Sequence, residues 1–142
     1  MTQEEKDLIL KDLRARLKTG TYVVEVDEDR KPISNAFCLY EINTRFPWRD
    51  GYVKMAYLRP LSSMTKDEWE DWESKFSMPF GAGGNATSFN VYNYIVADFG
   101  YSASIYVSEI GRMIDWLNEH HFDYRGLIPM GLALEARPDM YN

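Results

Sequence analysis

The sequence has one cysteine, Cys38, and two histidines, which sit side by side at positions 120 and 121. A single thiol makes no internal disulfide, which excludes a disulfide-framed secreted scaffold and leads to the expectation of a reducing, cytoplasmic setting. Long hydrophobic runs are missing too. No stretch approaches the roughly 18 apolar residues of a membrane span, and the opening Met1-Thr2-Gln3-Glu4-Glu5-Lys6 has neither the basic start nor the apolar run of a signal peptide. No membrane association is expected. Positive charge is scarce: 16 Lys and Arg against 22 Asp and Glu leave −6, the wrong sign for affinity gained by neutralising phosphates, so nucleic acid is not an expected partner. The same −6 spread over 142 residues is thin for the opposite role, mimicry of a DNA duplex.

What is abundant is aromatic. Ten Tyr, seven Phe and four Trp make 15% of the chain, rings that serve first for packing and second for binding surfaces. At 142 residues and 45% hydrophobic the expectation is one domain, 1–142, that buries its own core. Thr2 followed by Glu5 forms a capping box, and Ile9, Leu10, Leu13 and Leu17 mark one face of a first helix that Gly20 stops. Its acidic start and basic end, Lys11, Arg14, Arg16 and Lys18, complement the helix dipole. Strands are expected at 22–27, 36–42 and 52–58, separated by polar turns and short enough connections to favour antiparallel neighbours.

Pro60 ends the third strand, and Thr65 with Glu68 makes a second capping box. In the helix that follows, Trp69, Trp72 and Phe76 share one face and are expected to dock on the sheet, with a partner protein as the other destination for that stripe. A fourth strand is read at 88–99, and Ile110, Met113, Ile114 and Leu117 predict a helix of roughly 15 residues running to about His120. A short helical turn capped by Asp123 and an edge strand over 132–136 complete an α+β fold: an antiparallel sheet of about four strands with helices packed on one face.

Chemistry-bearing residues are few. Glu119-His120-His121-Phe122-Asp123 brings metal or acid–base work to mind, but adjacent helical residues point about 100° apart and no i, i+4 pair of ligands is present, so no metal or cofactor is expected. Histidines at a helix C-terminus also cap its last carbonyls. Gly81-Ala82-Gly83-Gly84 lacks the Gly-Lys-Ser/Thr and the following helix of a phosphate cradle. Cys38 lies mid-strand, and Ser62, Ser63 and Thr65 have no nucleophile-elbow context. Asp123, Tyr124 and Arg125 form a polar trio in which Arg125 either recognises an anion or folds back on Asp123 or on helix-end carbonyls.

Tyr57-Leu58-Arg59-Pro60-Leu61-Ser62-Ser63-Met64-Thr65, the block from Asp115 to Ile128, and Gly131-Leu132-Ala133-Leu134-Glu135-Ala136 resemble blocks in a group of small proteins of gut Bacteroidales and of their phages and mobile elements. These also tend to end near a Met-Tyr pair, here Met140-Tyr141. The resemblance covers about a third of the chain and implies a cytoplasmic, phage-associated protein. It brings no activity and no catalytic residue with it.

Two function classes stay open. The first is a non-enzymatic module that binds another protein or itself, with Trp69 and Trp72 as anchors; it predicts a contiguous exposed aromatic or apolar patch. The second is a small enzyme or ligand binder, which requires His121, Asp123, Tyr124 and Arg125 to converge in one concave site.

Overall fold

The computed structural model describes residues 1–39, 48–49, 52–76 and 103–141. Its elements in chain order are α1 (Gln3–Ala15), β1 (Tyr22–Val26), β2 (Phe37–Cys38), β3 (Trp48–Arg49), β4 (Tyr52–Leu58), a 3-10 turn (Leu61–Ser63), α2 (Lys66–Lys75), α3 (Ala103–Glu119), α4 (Leu127–Met130) and β5 (Leu134–Glu135). The fold is α+β. Both predicted capping boxes are formed: Thr2 and Glu5 bond each other's backbone at the start of α1, and Thr65 and Glu68 do so at the start of α2.

Among the described residues the sheet has five strands in the order β2-β1-β4-β3, with β5 on β4. β1 runs antiparallel to β4, with Val23 opposite Ala56 and Val26 opposite Val53. The expectation of a purely antiparallel sheet is corrected by β5, which pairs parallel to β4 through Tyr57 with Leu134 and Leu58 with Glu135. The cause is topological: the chain leaves the end of β4, traverses α2 and α3, and re-enters from the same direction. The second correction concerns packing. Neighbouring strand residues point to opposite faces, yet Val23 and Val24, and likewise Met55 and Ala56, are all buried, so the central pair of strands is covered on both faces rather than one.

Two hydrophobic clusters result among the described residues. One is aliphatic and centred on the sheet: Ile9 and Leu13 of α1, Val23, Val24 and Val26 of β1, Met55, Ala56 and Leu58 of β4, with Leu127, Leu132 and Ala133. The other is aromatic and lies between α2 and α3: Trp72, Phe76, Met113, Trp116 and Leu117, closed by Leu61, Phe122 and Tyr124. The Trp stripe therefore docks on α3 and not, as expected, on the sheet. Trp72 is 1% exposed, its ring edge-on to both Phe76 and Trp116 at 4.6 and 5.3 Å. Asp71 Oδ2 accepts from the Trp116 indole N–H at 2.9 Å and from Lys75 at 3.0 Å, which ties α2 to α3.

The predicted strand at 36–42 is represented by Phe37–Cys38, its residues beyond Leu39 lying outside the described set. The expected fourth strand at 88–99 and the Gly81–Gly84 stretch also lie outside it.

Candidate functional site

The end of α3 carries both histidines. Phe122 N–H reaches back to Leu117 C=O and His121 N–H to Asn118 C=O, the paired bonds of a Schellman motif, which places His121 at the position that favours glycine. Its φ is +64°. A side chain in that left-handed region costs about 1 kcal/mol or more relative to glycine, so the imidazole is held there by its surroundings. His120 faces back along the helix, donating from Nδ1 to Trp116 C=O at 2.8 Å and stacking on the Trp116 ring at 3.9 Å.

A chain of hydroxyls sets the state of His121. Thr19 Oγ1 donates its one proton to Arg16 C=O at 2.6 Å. Thr19 and Thr21 hydroxyls are 2.9 Å apart, so Thr21 is the donor there, and the 2.9 Å contact between Thr21 Oγ1 and His121 Nδ1 then requires Nδ1–H to donate. Burial, followed by the positive charges of Arg16, Arg59 and His120, depresses the His121 pKa to about 4. At neutral pH the ring is therefore uncharged, protonated on Nδ1, with its lone pair on Nε2.

The other face of that ring is covered by Tyr141, stacked at 3.8 Å and 16°. Tyr141 continues the β1–β4 register in an unusual way. Val23 stands opposite Ala56, so Tyr22 stands opposite Tyr57, and there the ladder bond is replaced by a bridge: Tyr22 N–H donates to the Tyr141 hydroxyl at 2.8 Å, and that hydroxyl donates to Tyr57 C=O at 2.7 Å. Burial raises the Tyr141 pKa above its ordinary value, outweighing the opposing effect of the Tyr22 amide. Beyond this point the β4 edge is taken over by the α3 exit, Arg59 N–H bonding His121 C=O and Asp123 N–H bonding Arg59 C=O, each at 2.8 Å.

Arg59 also ties the start of α2 to the exit of α3. Its guanidinium lies 4.3 Å above the Phe122 ring and forms a bidentate pair with Glu68, both bonds 2.7 Å. Burial raises the Glu68 pKa, but the Arg59 bond and the Thr65 amide outweigh it and hold the carboxyl below its ordinary range. Two hollows meet at this pair and at Tyr141. One, of about 470 Å³, runs past Ser63, Thr65, Glu135 and Arg137; the other, of about 350 Å³, is bordered by Tyr22, Glu119, His120 and His121.

No family model, curated protein or solved structure matches the chain.

Of the six binding candidates taken from sequence, His121, Asp123, Tyr124, Arg125, Trp69 and Trp72, only His121 borders these hollows. Asp123 is buried and accepts from Leu127 N–H at 2.8 Å and Ile128 N–H at 2.9 Å, which starts α4. Arg125 turns to Asp12 Oδ1 at 3.1 Å and to the Tyr124 hydroxyl at 3.0 Å. Tyr124 and Trp72 are core residues, and Trp69 is half-buried against the same aromatic cluster. The structure therefore does not bring His121, Asp123 and Arg125 into one hollow.

Sequence reasoning missed Arg16 and Tyr141. Arg16, whose place in the sequence suits the helix dipole, is 0% exposed, bonding Asp12 at 2.8 Å and Phe122 C=O at 2.7 Å. The signal was present: Asp12 and Arg16 are four apart on the face that carries Ile9 and Leu13. Tyr141 is marked only by the Met140-Tyr141 pair of the resemblance, and nothing in its neighbours gives it a role.

A base with a pKa of about 4 is a weak proton acceptor in catalysis at neutral pH. Ser63 Oγ donates to Pro60 C=O and Thr65 Oγ1 caps α2, so neither hydroxyl is paired with an imidazole. Among the described residues no group of three or more His, Cys, Asp or Glu is arranged to hold a metal ion, and no helix is long and apolar enough to cross a membrane.

Proposed function

We propose that the chain is a non-enzymatic protein-interaction module of the cytoplasm that takes an extended segment of a partner protein in the larger hollow. One observation carries this reading: the hollow of about 470 Å³ lies along Glu135, Ala136 and Arg137, beside a two-residue strand whose outer edge pairs with no other strand among the described residues. Ala136 N–H bonds inward to Leu58 C=O, and alternation of peptide direction then turns the Glu135 amide and carbonyl outward. An extended peptide adding to that edge would gain main-chain hydrogen bonds and place alternate side chains in the hollow. Exposed Glu135 and Arg137 offer one charge of each sign.

This hollow takes the place of the contiguous exposed aromatic or apolar patch expected from the sequence. Trp72 is internal, and the exposed large apolar side chains among the described residues, Met1, Ile33, Phe37, Tyr52 and Met130, are scattered along the chain. The half-buried, unpaired Cys38 supports the reducing compartment. The resemblance to Bacteroidales and phage proteins is the ground for associating the module with a phage or mobile element. A second reading, a small-ligand binder at His121, draws on the 350 Å³ hollow beside that ring.

Selection of peptides from a random display library, followed by mapping of amide shifts, tests the first reading. Shifts gathered at Ser63, Glu135, Arg137 and Tyr141, weakened by Arg137→Glu, support it. Peptides that shift other surfaces, or turnover of model esters or phosphoesters that vanishes in His121→Ala, would replace it.

A further inference from the structure

Tyr141 is held as a ligand is held. Its ring packs face to face on His121 at 3.8 Å and lies tilted against Tyr22 at 5.6 Å, while its hydroxyl both accepts from Tyr22 N–H and donates to Tyr57 C=O. Every element of this cradle belongs to β1, β4 or the α3 exit, none of them contiguous in sequence with residue 141. It lies where the two hollows meet, since Tyr141 borders both. The cradle also has a definite chemical requirement. A planar ring must satisfy the stacking faces, and its para substituent must offer one acceptor and one proton in opposite directions, 2.8 and 2.7 Å from fixed backbone atoms. A phenol meets that requirement. A benzyl group leaves Tyr22 N–H and Tyr57 C=O without partners, and an O-methyl or O-phosphoryl tyrosine has no proton for Tyr57.

We infer that the cradle formed by Tyr22, Tyr57 and His121 is a phenol-recognition site, occupied in cis by Tyr141 and open to a tyrosine side chain supplied by a protein partner. The identity of the occupant rests on the protein-interaction reading above; the phenol chemistry does not. Displacement of Tyr141 merges the two hollows into one groove beside β5, so a partner segment that lies along Glu135 and ends its reach with a tyrosine satisfies both sites at once.

The test begins with Tyr141→Gly and the probes p-cresol, toluene and 4-methylanisole. The expected result is that p-cresol raises the thermal midpoint of the variant towards that of the unaltered protein and binds about tenfold more tightly than either probe lacking the hydroxyl, the discrimination of roughly one net hydrogen bond. Equal effects of the three probes, or no effect of p-cresol, overturn the inference. If Tyr141→Gly does not fold, 3-fluorotyrosine is placed at position 141 of the intact chain and observed by fluorine NMR. Added p-cresol should then transfer intensity to a second, solvent-like resonance, and an unchanged spectrum overturns the inference. A final arm compares a short tyrosine-containing peptide with its phenylalanine twin on the variant. Preference for tyrosine supports the full proposal. Rescue by p-cresol with no peptide binding keeps the phenol site and removes the protein partner, so the two ideas fail separately.

Discussion

The aliphatic cluster on the sheet and the aromatic cluster between α2 and α3 are built by opposite means. In the first, β-branched and straight-chain residues of adjacent strands meet through a regular register, Val23 with Ala56 and Val24 with Met55, and each contributes its area independently of detailed geometry. In the second, Trp72, Phe76, Trp116 and Phe122 interlock by edge and face, and their polar atoms need partners: the Trp116 indole finds Asp71. The polar residues gather at the seam between the two. Arg16, buried with Asp12, bonds the carbonyl of Phe122; Arg59 lies over the Phe122 ring and clamps Glu68; His121 and Tyr141 stack where β1 begins. A seam of this kind costs desolvation that a continuous apolar core avoids. Arg16 Nη1 there, and Asn118 Oδ1 near the end of α3, are buried without a hydrogen-bond partner among the described residues. Each such atom costs about 1–3 kcal/mol.

The sharpest way to separate the clusters is Trp72→Ala, which should destabilise by about 3–5 kcal/mol. Hydrogen exchange should show α2 and α3 amides losing protection before those of β1 and β4; uniform loss would make the two clusters one cooperative unit. Arg16→Met comes next, at about 3 kcal/mol, because Asp12 keeps Arg125 but loses its closer partner. Denaturant melts should show much of that loss recovered in the Asp12→Leu, Arg16→Met double variant. If the double variant falls by the sum of the singles, the pair is not the source.

The seam should also respond to acid. His121 in the folded chain titrates near 4, against about 6.5 when unfolded, so the unfolded state binds the extra proton first. Stability from this residue is present above about pH 6.5 and is lost as pH falls towards 4. Thermal midpoints across that window should drop for the unaltered protein and drop less for His121→Asn; identical slopes would exclude His121 as the titrating group. At constant pH, His121→Gly should be about 1 kcal/mol more stable than His121→Ala, since both lose the ring and only glycine relieves the +64° backbone. The smallest contrast lies between the capping boxes. Thr65→Ala should cost about 1 kcal/mol because Glu68 also holds Arg59, and Thr2→Ala about half as much at the exposed start of α1.

Much of the frame was legible in the sequence for a local reason. Capping boxes at Thr2 and Thr65, the strand ended by Pro60 and the periodic apolar face of α3 are all written in neighbouring residues, and neighbouring residues decide them. What was not legible depends on residues distant in sequence. The Trp69, Trp72 and Phe76 stripe announces a buried face but not whether a sheet or a helix covers it. Asp123 and Arg125, adjacent in reach, are drawn apart by Leu127 N–H and by Asp12. The parallel pairing of β5 and the insertion of Tyr141 between Tyr22 and Tyr57 bring together positions more than 70 residues apart, a distance at which periodicity carries no information. Arg16 stands between these cases: its partner four residues earlier was visible, and its burial was not.

The tautomer of His121 joins every part of the seam, because it is set by Thr19 and Thr21, kept neutral by burial beside Arg16 and Arg59, and covered by Tyr141. Long-range nitrogen–proton correlation NMR of the two histidine rings reads it directly. At neutral pH the His121 ring should show a protonated Nδ1 and an unprotonated Nε2, unchanged until the pH approaches 4. A proton on Nε2 with none on Nδ1 would contradict the hydroxyl chain, a doubly protonated ring near pH 6.5 would contradict the neutral state that burial beside Arg16 and Arg59 imposes, and either would overturn the account of how the two clusters are joined.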